Sequence, residues 1–200
     1  MTTKTGTFST NMIAKIAMLS AVAFVLMLIE FPIPVAPSFY KLDFSEAAVL
    51  IGGFALGPAA AVCIEATKVV LNLLFTGTMT MYVGEFANFL IGCALCVPAS
   101  IMYRNNKSRA TALKGMAVGT VAMAAAGVIL NYFLLLPAYV SIAKFPMEAI
   151  LGAGQAIFPF ITNKFTFVLA CVTPFNLIKG VLVSAVTLIL YKHVSPLLHK

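Results

Sequence analysis

Apolar residues in this chain gather into runs that approach the ~20 residues a helix needs to cross a hydrocarbon core. Most polar residues gather in the short stretches between those runs. That pattern admits few folds. No water reaches such depths, so backbone N–H and C=O groups must be paired within their own segment, which favours helices over open sheets. With 62% hydrophobic and 10% charged residues, against about half and a quarter in soluble domains, the chain reads as an all-α integral membrane bundle forming one domain.

The first crossing covers about residues 12–30, with Lys15 placed to snorkel near its start. Ala17 and Ala21 stand four apart on it, a spacing that lets another helix approach closely. Pro32, Pro34 and Pro37 end it and predict an extended outer loop over 31–45. Ser45 is a plausible N-cap for a short second helix, 46–56. Gly57-Pro58 then turns the chain into a third helix, 58–75, because one helix through Gly57 is too long for a core ~30 Å thick. Further crossings are expected at about 81–103, 115–139 and 166–192. The fifth opens with Gly115-x-x-x-Gly119, a close-packing signal. A second outer connection covers 140–165, where Met147 to Phe158 suits a short helix between two prolines. No signal-peptide cleavage pattern precedes the first run, so that segment is expected to stay.

Basic residues orient the six helices. The N-terminus, the 104–114 loop and the C-terminus hold Lys4, Lys15, Arg104, Lys107, Arg109, Lys114, Lys192 and Lys200, without an acid. The opposite side holds Lys41, Lys144 and Lys164. Both termini are therefore expected in the cytoplasm of a multi-pass prokaryotic cell-membrane protein. This dispersal also explains the net charge of +7 without nucleic acid.

Several chemistries lack their residues. Cys93 and Cys96 form C-x-x-C, but no second pair or nearby His completes a metal site, so inert thiols and no metal are expected. An intramembrane enzyme built on Glu65 or Glu85 would need a reactive His, Ser or metal. The histidines, His193 and His199, lie in the tail. No G-x-x-x-x-G-K-[ST] cradles ATP, and no second, similar half suggests a self-sufficient carrier.

Polar residues inside the runs carry the functional reading. In Pro174-Phe-Asn-Leu-Ile-Lys-Gly180, Asn176 and Lys179 share a helix face, with Pro174 read as part of a first turn. An ammonium at membrane depth is costly unless it faces protein, water or a ligand. Since no acid in that segment pairs with Lys179, a flat polar heterocycle is the expected partner. Asn131 would supply a third donor and acceptor, and surrounding aromatic residues would stack on the ring. Glu65 and Lys68, three apart, are read as neutralising each other, with proton coupling as the alternative. Glu85 and Asn88 are left between helix glue and ligand contact.

These pieces resemble the substrate-binding S-components of energy-coupling-factor (ECF) transporters, in particular the riboflavin-specific RibU branch. The matching stretches are Glu30-Phe-Pro-Ile-Pro, Lys41-Leu-Asp-Phe-Ser45, Gly52 to Pro58, Thr76-Gly-Thr, Gly84-Glu-Phe-Ala-Asn-Phe89, Asn131-Tyr-Phe with Leu136-Pro137, and Pro174 to Gly180. One departure is Lys68-Val-Val-Leu-Asn72, where the family's Lys is followed by Asn-Leu-Leu. The resemblance implies a transport subunit, not an enzyme, that captures riboflavin outside without a permanent cofactor. It implies that Asn131, Asn176 and Lys179 hold the isoalloxazine ring, with Lys41, Leu42, Asp43 and Phe44 near the ribityl chain. It further implies a T-component, docked on Ala17 and Ala21, and two ATPases whose hydrolysis tilts the subunit. An autonomous small-solute carrier is the competing reading. Lys41, Lys144 and Lys164 near the mouth leave riboflavin phosphate and roseoflavin open as cargo.

Overall fold

The structure, a computed structural model, describes residues 9–198, with side chains through Tyr191. Lys4, His199 and Lys200 lie outside the described residues, and Lys192 and His193 outside the described side chains. Helix α1 spans Thr10–Leu28, its N-terminus capped by the Ser9 hydroxyl. Two residues of antiparallel ladder follow, β1 (Phe31–Pro32) against β2 (Lys41–Leu42), so the expected extended loop folds back on itself.

Helix α2 is Ser45–Leu56. Ser45 is not its N-cap; Phe44 holds that position, and the Asp43 carboxylate accepts the Ser45 N–H at 2.8 Å. The capping carboxylate comes from Asp43, two residues before the Ser45 that the sequence suggested. Gly57, at φ 101°, breaks the chain in a conformation that a Cβ would strain, and Pro58 opens α3 (Pro58–Thr76). Helix α4 is Val83–Asn105. Helix α5 runs Arg109–Ser141, α6 is Met147–Gln155, and α7 starts at Lys164 and continues to Leu198.

Both α5 and α7 contain a wide π turn, Asn131–Leu135 and Val168–Val172. Each turn precedes a proline, Pro137 or Pro174. A proline ring collides with the carbonyl four residues back and leaves it without a donor. The π turns contain those carbonyls, of Phe133 and Ala170, and bond i to i+5 instead: Leu136 N–H to Asn131 O, and Thr173 N–H to Val168 O. Pro174 therefore lies inside a continuous helical run and does not start the helix.

α2 is the hub of the bundle, packed on α1, α3, α4 and α7 and buried from Ser45 through Phe54. Gly115 and Gly119 press α5 onto α4: a Cβ on Gly115 would lie 2.9 Å from the Ala99 carbonyl, and one on Gly119 would strike that of Leu95. Among the described residues, five helices are long and apolar enough to cross a membrane, and α2 is a shorter apolar helix. A second core forms where the outer loop meets the ends of α5, α6 and α7, around Leu42, Leu136, Ile150, Phe167 and Phe175.

Candidate ligand-binding site

Two asparagines meet at one glycine. Asn131 donates its amide to the Gly127 carbonyl at 2.8 Å, four residues back on α5. Asn176 on α7 donates to Val172 O at 3.0 Å, and its amide lies where a Cβ of Gly127 would be. Both carboxamides are thus pinned by their NH2 groups at the α5–α7 seam, and both residues are buried.

The outer loop reaches down to this seam. The Tyr40 hydroxyl donates to Asn131 Oδ1 at 2.8 Å, and its ring sits 5.5 Å from that of Phe175 and 6.4 Å from that of Phe167. Burial pushes the Tyr40 phenol up, so it stays a donor. A flat polar ring with aromatic neighbours already fills the environment that the sequence reserves for a ligand.

Lys179 is not the lone ammonium that the sequence implied. Its Nζ is 2.9 Å from Asp43 Oδ2 and 3.0 Å from Glu46 Oε1. Its own segment holds no acid, and these partners come from the outer loop and α2. Burial alone would raise the Asp43 carboxyl, but Lys179 and Lys68 outweigh it and hold it down at about 2. The pairing extends inward, because Lys68 Nζ lies 3.1 Å from Glu46 Oε1, 2.8 Å from Glu65 Oε1 and 2.8 Å from Ser45 Oγ. Glu65 and Lys68 do pair, within a larger network.

Of the other residues, Lys41 pairs with Glu30 at the exposed rim, Leu42 is buried in the outer core, and the Phe44 ring faces that of Phe31 at 6.1 Å. Glu85 accepts from Thr78 and Thr80, both at 3.1 Å, and so closes its own helix start. Asn88 keeps a buried Oδ1 with no hydrogen-bond partner. Ala17 and Ala21 lie on the exposed face of α1. Sequence reasoning missed Tyr40, Glu46 and Gly127. An aromatic residue in a mouth loop and a glycine four before Asn131 were the available signals.

A family model described as the substrate-specific component of ECF transporters matches residues 11–191. RibU of Staphylococcus aureus (strain TCH60), a riboflavin transporter, is 36% identical over 185 residues, covering 92% of this chain and 90% of that protein. FmnP of Bacillus subtilis (strain 168), also a riboflavin transporter, is 33% identical over 182 residues, covering 90% of each. A solved S component of a bacterial ECF transporter superposes with a TM-score of 0.73 at 35% identity, over 94% of this chain and 98% of that one. A match over almost the whole length, in sequence and in fold, means that this chain belongs to the substrate-specific components of ECF transporters.

Proposed function

We propose that this S-component binds riboflavin from outside the cell and hands it on through a T-component and two ATPases. The observation that carries the reading is the meeting of Asn131 and Asn176 at Gly127 beneath Tyr40. Two relatives that are riboflavin transporters support the choice of cargo. In this reading the isoalloxazine ring takes the place of the Tyr40 ring between Phe167 and Phe175, and Asn131, Asn176 and Lys179 hold its polar edge. Lys41, Leu42, Asp43 and Phe44 then line the ribityl chain, while Glu85 and Asn88 border the mouth.

The layout has six passes with both termini cytoplasmic. At ~1.5 Å per residue, the 12 residues of α2 cover only ~18 Å; the outer loop, dipping to Asp43, makes up the remaining depth. Ala17 and Ala21, exposed on α1, form the docking stripe for the T-component. Purifying the chain from riboflavin-fed cells tests the reading: a yellow protein with stoichiometric flavin supports it, and a colourless one that acquires no flavin on soaking refutes it. Vesicles containing this chain alone should take up no riboflavin; uptake would favour an autonomous carrier.

A further inference from the structure

The buried network does not balance its charge. Asp43, Glu46 and Glu65 face Lys68 and Lys179, and none of the five is more than 5% exposed. Fully ionised, the group carries one uncompensated negative charge in a water-poor interior, where such a charge is expensive. The carboxylates share the two ammoniums unequally. Asp43 has both oxygens engaged, by the Ser45 N–H and by Lys179. Glu46 Oε1 takes both lysines, while its Oε2 has no partner. Glu65 has one lysine, Lys68, at 2.8 Å from Oε1, and its Oε2 has no hydrogen-bond partner.

We propose that the network binds one proton, carried by Glu65 as a neutral carboxylic acid. Every element around Glu65 agrees with a missing positive charge. Its own helix offers Lys68, α2 offers Glu46 and Ser45, α7 offers Lys179, and the loop offers Asp43. Helix α4 turns Gly92 toward the Glu65 carboxyl and brings Cys93 and Cys96 nearby, with no cation. Ser20 of α1 is spent on its own backbone. Asp43 does not compete, since its carboxyl is held at about 2. The proton lets three acids on the outer loop, α2 and α3 stay tied to α7. Its loss at alkaline pH would set like charges against each other at the loop's inner anchor.

Infrared spectra of the full chain in lipid vesicles test this. A carbonyl band of a protonated carboxylic acid should be present at neutral pH and absent in Glu65→Gln. Glu46→Gln should also abolish it, because two acids then balance two lysines and Glu65 ionises. A carboxyl that keeps its proton only in the folded state binds more protons folded than unfolded, so stability falls as pH rises. Tm should therefore fall in the wild type as pH rises above the ordinary glutamate range, from about pH 5 upward, and much less in Glu65→Gln. No acid band in the wild type, a band that survives Glu65→Gln, or a Tm that follows sodium concentration at fixed pH would overturn the proposal; the last would assign the charge to a metal cation.

Discussion

Tyr40 decides how the site opens. Its hydroxyl holds Asn131 Oδ1, the acceptor that a ligand would need. Tyr40→Phe removes this internal competitor while keeping the ring, and a net hydrogen bond is worth about 0.5–1.5 kcal/mol. Riboflavin should therefore bind roughly 2- to 10-fold more tightly to Tyr40→Phe in equilibrium fluorescence quenching. Weaker binding would mean that the hydroxyl serves the ligand. Lys68 carries a structural load instead. Lys68→Ala takes from Glu65 its paired lysine and leaves Glu46 with Lys179 alone, and breaking a buried pair from one side costs about 3–5 kcal/mol. Its Tm should fall steeply, whereas Lys41→Ala, which breaks only an exposed rim pair, should leave Tm nearly unchanged. The same scale shows where sequence reasoning ended. Asn176 and Lys179 were legible because a polar face on an apolar helix demands a partner. The partner was not legible, because Asp43 is 136 residues away in the chain and only folding brings the loop under α7.

Between elements, the seam of α5 and α7 is set by Gly127 and by two π turns. An extra residue per turn rotates everything beyond it by ~100° about the helix axis, so both turns set how the asparagines face one another. The prolines behind them were visible in the sequence, but reading Pro174 as a helix start missed that a widened turn can absorb a proline in mid-run. Gly57-Pro58 was easier to read, since a positive φ at glycine and a proline at the next helix start each have a local cause. Gly127→Ala should push the Asn176 carboxamide off its carbonyl partner. We expect weaker riboflavin binding by roughly ten-fold, with the helical circular dichroism spectrum retained. Unchanged affinity would separate Asn176 from the ligand.

For the whole molecule, the division of labour follows the two cores. The inner core around α2 packs apolar side chains beside the buried Glu46, Glu65 and Lys68, while the outer core mixes aromatic side chains with the dipping loop. In the proposed function, capture belongs to the half with the proline-rich loop and docking to the exposed face of α1. The sequence made the membrane bundle plain through run length and polarity. It left the descent of the outer loop hidden, because nothing local to residues 31–44 distinguishes a lid from a plug. One titration bears most directly on the account: riboflavin fluorescence quenched by the purified chain, in wild type, Asn176→Ala and Lys179→Ala. Saturable binding by the wild type, weakened roughly ten- to a hundred-fold in both variants at a temperature where each is still folded, is the predicted result, with Tm lowered in Lys179→Ala, which takes a lysine from Asp43 and Glu46. Equal affinity in all three proteins would contradict it.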